Sequence, residues 1–280
     1  MKVLVLGSDR TGDALPVAAA PATRARRWPV AGALAVSADG RSWVLINAPL
    51  NLGLHLRRHQ RLLADGCRRI IVTDAQLDHV GGLLALRHGR PIDLYATPAA
   101  FEDVSHGLPL VPVLDNYCGV RWHMVPVAGD HTAVPFHVNG MPGLSFTAWA
   151  ASGPAPRYSA RWTGQSMVGD AVTVQVEDLS DGQRLLFAPA MPALSHAMLD
   201  SLRPGDRLLV GTGCSDHPAA CPHDEPALMA REVARLRDHH RQLGRITVQV
   251  DSAPVLDSAG QRILDDAGIE LAYDGMEIDF

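Results

Sequence analysis

The chain has 280 residues, 47% hydrophobic and 20% charged, with a formal net charge of −5. That is ordinary globular composition with enough chain to bury a substantial core, and the acidic balance argues against a basic nucleic-acid-binding surface. The opening MKVLVLGS reaches Gly7, Asp9 and Arg10 too early for a signal peptide, and no window approaches about 18 uninterrupted apolar residues; a cytoplasmic protein without membrane insertion is expected.

In chain order, Lys2–Leu6, Ala33–Ser37 and Trp43–Asn47 read as strands bounded by Gly, Pro and Asp turn signals. The Ala/Pro-rich stretch Ala14–Pro29 reads as a loop over one end. Leu52–Ala64 has helical apolar spacing, Arg69–Thr73 is a short, largely apolar strand, Val80–Arg87 a helix and Ile92–Ala96 another strand. From Val120 to Asp178, β-branched residues and turns predict antiparallel strands. Then follow strand Arg184–Ala188, helix Leu194–Leu202, strand Arg207–Val210, a long helix near Glu225–Leu243 and strand Arg245–Val250. A last helix near Ser258–Ala267 leads into strand Glu270–Tyr273. Helices toward both ends and a strand-rich middle predict an α/β protein of two sheets packed face to face under helices. No repeat or low-complexity linker divides it, so residues 1–280 are expected to form one domain.

Thr73-Asp74-Ala75-Gln76-Leu77-Asp78-His79 closes a buried strand with carboxylates, an amide and an imidazole. Polar site residues gather at such strand ends because the loop leaves the core there. Asp74, Gln76, Asp78 and His79 could converge on one cation, and imidazole favours a transition metal. The competing reading is a helix start, with Asp78 as its N-cap and Gly81-Gly82 packing closely. The four cysteines, Cys67, Cys118, Cys214 and Cys221, lack a CxxC pair and predict neither a disulfide scaffold nor a closed zinc site. His239-His240 reads as a favourable charge at a helix C-terminus, and the Cys/His-rich run from Cys214 to His223 matches no standard zinc spacing. Arg157, Tyr158 and Arg161 are candidates to line a pocket for an acidic substrate, because guanidinium pairs bidentately with carboxylate; a solvated β-loop is the equal alternative. GxSxG, P-loop and GxGxxG motifs are absent, which disfavours serine hydrolase, NTPase and dinucleotide chemistry.

The segment Asp74–His79 resembles the HxHxDH signature loop of the metallo-β-lactamase fold. More closely, TDAQLDHVGGLLALR is similar to the pyrroloquinoline quinone (PQQ) biosynthesis protein B family, in which the two leading histidines are typically replaced. MKVLVLGS, SWVLINA, PIDLYATP, PRYSARW, GDAVTVQVED, RLLFAPAMPAL and the closing ELAYDGMEIDF extend the likeness from end to end. The resemblance implies a four-layer αββα sandwich of the metallo-β-lactamase type with the site at the rim between the sheets. It implies a part in making PQQ from a Glu- and Tyr-containing peptide, alongside other PQQ biosynthesis proteins. Two roles are implied: a metal-dependent oxygenase, with iron as the metal, that hydroxylates the tyrosine of a Glu–Tyr intermediate, or a carrier assisting transport of PQQ or its precursor to the periplasm; the metal expected at the site is iron or zinc. A diverged metal-dependent hydrolase is a third.

Asp74, Gln76, Asp78 and His79 match the family loop directly, with Asp78 and His79 as the catalytic pair. The chain departs from the family elsewhere. ITVQVDSAPVLD holds no histidine where the family has one, leaving Gln249 or Asp251 nearest the expected ligand, and His223 in CPHDEP matches loosely. Gly211 stands in place of an acidic residue, and residues 8–30 contain no cysteine where the family has a zinc loop. Catalytic metal sites usually use about three protein ligands and an open position, and the candidates that the resemblance offers are Asp74, Gln76, Asp78, His79, His223 and Asp251. The turn Tyr273-Asp274-Gly275 is expected to close one end of the site.

Overall fold

The structure, a computed structural model, describes residues 1–6, 32–129, 133–188, 196–211, 246–248, 268–278 and 280, with isolated helical positions at Ala234, Leu236, Arg262, Asp265 and Asp266. The expected loop Ala14–Pro29, most of the two late helices, His223, Gln249, Asp251, His239-His240 and the run Cys214–His223 lie outside the described residues.

Two seven-stranded sheets form the frame. The first takes β1 (Lys2–Leu6), β2 (Ala33–Ser37), β3 (Val44–Ile46), β4 (Arg69–Ile71), β5 (Ile92–Ala96) and β6 (Val120–Met124), with β14 (Glu277–Ile278) paired outside β1. The second contains β7 (Val134–Phe136), β8 (Leu144–Ala151), β9 (Ala171–Asp178), β10 (Arg184–Ala188), β11 (Arg207–Val210), β12 (Ile246–Val248) and β13 (Ile269–Leu271). β3 through β6 run parallel, as do β10 through β13, whereas β7, β8 and β9 form an antiparallel meander. The expected antiparallel middle therefore holds from β7 onward, but β6 joins the first sheet parallel to β5.

Side-chain alternation explains why the first sheet reads as continuous apolar runs. Along β1, Val3 and Val5 enter the core between the sheets, while Leu4 and Leu6 enter the core under the helices. Leu34 and Val36 against Ala33 and Ala35 repeat the pattern in β2. Both faces are buried, so alternation in hydropathy disappears. Across the gap, Phe146, Val172, Val174, Val176, Leu185 and Phe187 supply the second sheet's share of the inner core.

The expected helix Leu52–Ala64 is two helices, α1 (Leu52–Arg58) and α2 (Gln60–Asp65), interrupted at His59 with φ −107° and ψ 78°. The expected helix Val80–Arg87 is also corrected: α3 (Leu77–Val80) starts three residues earlier than expected and gives way to a 3-10 turn over Gly81–Leu86. A Cβ on Gly82 would lie 1.9 Å from the Pro49 carbonyl oxygen, so this turn presses backbone against backbone. Two short helices escaped the apolar periodicity, α4 (Pro98–Glu102) and α5 (Leu110–Asp115). The signal for α4 was local: Thr97 caps it by accepting the Ala100 amide at 3.1 Å, and Pro98 occupies the first turn. α6 (His196–Asp200) lies within the expected Leu194–Leu202 helix.

Candidate functional site

β4 delivers Thr73 and Asp74 to the rim where the two sheets meet. Val172 at the start of β9 donates its amide to the Thr73 carbonyl at 2.8 Å, and Asp74 forms an isolated bridge with Ala171. The neighbouring parallel strand β3 ends in Asn47, a buried residue with φ +65°. Asn tolerates this left-handed backbone better than other non-glycine residues. Its side chain accepts the Thr73 amide at 2.9 Å and donates to the Thr73 hydroxyl at 3.0 Å. Asn47 is thus a positioning residue that the motif comparison passed over; its signal was an Asn between a buried strand and Ala-Pro.

The Thr73 hydroxyl in turn donates to Asp74 Oδ2 at 3.1 Å, and the Gln76 amide donates to Asp74 Oδ1 at 2.9 Å. His79 Nδ1 approaches the same Oδ1 at 2.6 Å, with both residues buried. Burial pushes the Asp74 carboxyl up, but the His79 ring and the three hydrogen bonds more than offset it, and the group is held below the ordinary carboxylate value. The sequence placed Asp74 among the metal ligands; in the structure both of its oxygens are engaged in orienting His79 and the loop. His79 Nε2 is directed toward Gly32, 3.2 Å from where a Cβ there would sit. Asp78 is partly buried in the first turn of α3. The helix-start reading does not hold for Asp78, because the cap position belongs to Gln76 and carries no side-chain cap.

The remaining loop contacts are ties to the segment before β9. Gln76 Nε2 donates to the Pro154 carbonyl at 3.1 Å, and the Tyr158 hydroxyl donates to the Ala75 carbonyl. Burial, then the Asp103 and Asp74 charges, push the Tyr158 hydroxyl far above its ordinary value, so it stays a donor. Arg161 binds Asp103 at 2.6 Å and Asp170 at 2.5 Å, and also donates to the Ala99 carbonyl. Of the proposed substrate-binding trio, Arg161 is therefore engaged in a structural clamp, Tyr158 pins the loop, and Arg157 is exposed beside the Trp162 ring. The turn at Asp274-Gly275 is present, but Asp274 faces His55 and Arg58 on α1.

A pH signature follows from Asp74. Its folded value lies below the unfolded value of about 3.8, so its contribution is complete above that pH and is lost as pH falls through the folded value. Urea midpoints measured across this acid range should fall more steeply in wild type than in Asp74→Asn; parallel curves would refute the assignment.

Residues 42–243 match the family described as the beta-lactamase superfamily domain. A coenzyme PQQ synthesis protein B from Methylobacillus flagellatus is 34% identical, covering 88% of this chain and 86% of that protein. The chain belongs to the coenzyme PQQ synthesis protein B family. Its relative of that name from Pseudomonas aeruginosa is 32% identical over 94% of this chain and 89% of its own length. The crystal structure of Zn(2+)-bound PqqB from Methylobacterium extorquens superposes with a TM-score of 0.70 at 22% identity, covering 100% of both chains, and shows the shared fold. The metallo-β-lactamase architecture expected from the signature loop is thus the architecture of this family member, with the loop at the rim between its sheets. Among the described residues, no helix is long and apolar enough to cross a membrane.

Proposed function

We propose that this member of the PQQ synthesis protein B family acts in PQQ biosynthesis by hydroxylating a Glu/Tyr-derived peptide intermediate at a metal centre that includes Asp78 and His79. The observation that carries the reading is the Asp74–His79 contact of 2.6 Å. A carboxylate on one ring nitrogen fixes the tautomer and turns the other nitrogen toward a metal, the usual arrangement around a ligating histidine. The donor types support it: Asp78 and His79 offer one carboxylate and one imidazole, a combination suited to iron or zinc, and His223 and Asp251 are the further donors expected from the sequence. The zinc-bound PqqB from Methylobacterium extorquens supports a metal in this fold. Bound iron would supply the oxygen activation that aromatic hydroxylation requires.

The chain's own groups do the rest. Asp74 holds the imidazole orientation, Asn47 and Tyr158 hold the loop backbone, and exposed Arg157 is the guanidinium we assign to a substrate carboxylate. Iron-loaded protein given a Glu–Tyr-derived substrate, oxygen and a two-electron reductant such as ascorbate should yield a product carrying one added oxygen atom, the other oxygen atom leaving as water. His79→Ala should abolish turnover, and Asp74→Asn should lower iron affinity or turnover roughly 10–100-fold. Full turnover by His79→Ala would sink the assignment.

One observation favours a second reading, a carrier for PQQ or its precursor. Gln76 stands where the metallo-β-lactamase pattern has an imidazole, and its amide nitrogen is occupied by Pro154. Tight binding of PQQ by metal-free protein, with no product from the peptide substrate, would decide for the carrier.

A further inference from the structure

A second group of metal-ligating side chains lies outside the signature loop. His55 sits in the last turn of α1, His59 occupies the break between α1 and α2, and Asp274 lies in the turn leading into β14. One donor atom from each falls within 4.8 Å of the other two.

We propose that His55, His59 and Asp274 bind one divalent transition-metal ion of the zinc class, which fastens the C-terminal strand to α1.

Three features of the geometry support this. First, the His59 amide donates to the His55 carbonyl at 2.9 Å, so the i,i+4 relation persists through the helix break and brings both rings to one side. The same spacing on a helix face is a known way to present two imidazoles to one ion. Secondly, His55 Nε2 lies 3.0 Å from Asn51 Oδ1, and with Nε2 donating to that oxygen the Nδ1 lone pair is turned toward Asp274. That nitrogen is 3.1 Å from Asp274 Oδ1. An imidazole nitrogen and a carboxylate oxygen this close can serve as two neighbouring corners of one metal site. Thirdly, the adjacent imidazole of His59 supplies the third donor within the same 4.8 Å. Tetrahedral zinc with bonds of about 2.0–2.2 Å places its donors roughly 3.3–3.6 Å apart, a closure that His59 and Asp274, both only partly buried, can make by side-chain rotation.

The outer contacts fit the same role. Arg58 Nη1 holds Asp274 Oδ2 at 3.1 Å, leaving Oδ1 toward His55. The turn is tied to β1 by Gly275 donating to the Val5 carbonyl at 3.0 Å and Val5 donating to the Met276 carbonyl at 2.9 Å. An ion here would therefore link α1, β1 and β14. Nothing in this inference depends on the Asp78–His79 site.

The test uses full-length protein carrying Asp78→Ala and His79→Ala, stripped of metal and titrated with Zn2+ by calorimetry and with Co2+ by absorption. One equivalent should bind, give the intense visible bands of tetrahedral Co2+, and raise the melting temperature in proportion to free metal. Adding His59→Gln or Asp274→Asn, both conservative in shape, should abolish binding and the cobalt bands while the circular dichroism of the metal-free protein is unchanged. Absence of binding in the starting variant would overturn the proposal, and so would binding that survives both added substitutions. Either outcome would leave His55 and Asp274 as a side-chain contact without a metal.

Discussion

Gly82→Ala is expected to destabilise this protein by about 3 kcal/mol or more, as overpacking does where the surroundings cannot relax. The added methyl would meet the Pro49 carbonyl oxygen at 1.9 Å and carbon at 2.8 Å, with the Ala48 oxygen at 2.9 Å. All three are main-chain atoms immediately beyond Asn47, and the Ala48 carbonyl already accepts the Gly82 amide at 2.9 Å. Relief requires moving the 48–49 backbone, and the Ala48 amide that donates to the His79 carbonyl at 2.6 Å moves with it. The damage should reach the site as well as the fold. A melting temperature lower by roughly 5 °C or more is the corresponding thermal signature. Gly81→Ala is the control: its methyl meets the Leu50 Cδ2 at 2.4 Å, the end of an exposed and flexible side chain. That variant should stay within about 1 kcal/mol of wild type. Equal losses in the two variants would refute the backbone-clash explanation.

Arg161→Met should cost about 3–5 kcal/mol at neutral pH, the range for removing one partner of a buried ion pair. The guanidinium is the cation facing two carboxylates whose side chains are 4% and 1% exposed, Asp103 and Asp170. Burial already raises the Asp103 carboxyl, with the Ser159 hydroxyl at 2.5 Å and Arg161 opposing, so losing Arg161 raises it further. A raised folded value penalises the native state once the unfolded carboxyl ionises above about 3.8. The deficit of the variant should therefore be largest at neutral pH and shrink in mildly acidic buffer, as urea unfolding would show. A variant that folds with wild-type stability and loses only substrate affinity would return Arg161 to the substrate-binding role its sequence context suggested.

The sequence by itself located the frame and the loop. β1, β2, β5, β10 and β11 have the ends that their apolar runs and turn residues predict, because those signals are local. The signature loop was legible because its residue types are contiguous and its spacing is shared across a family. Some of its internal contacts were also within reach of a local reading, since Asp74 and His79 are five residues apart. What the individual side chains do was decided only by the tertiary structure. Asp74 reads as a ligand in sequence and as the orienting partner of His79 in space, because Thr73 and the Gln76 amide converge on its oxygens once β4 ends against β9. Arg161 reads as a substrate anchor until Asp103, brought over from 58 positions away, closes on it. Arg58 and Asp274 are 216 residues apart, and only the pairing of β14 with β1 brings the closing turn beside α1. Polar partners satisfy one another across layers, where the chain leaves no periodic trace, whereas the apolar pattern that builds the layers is written residue by residue.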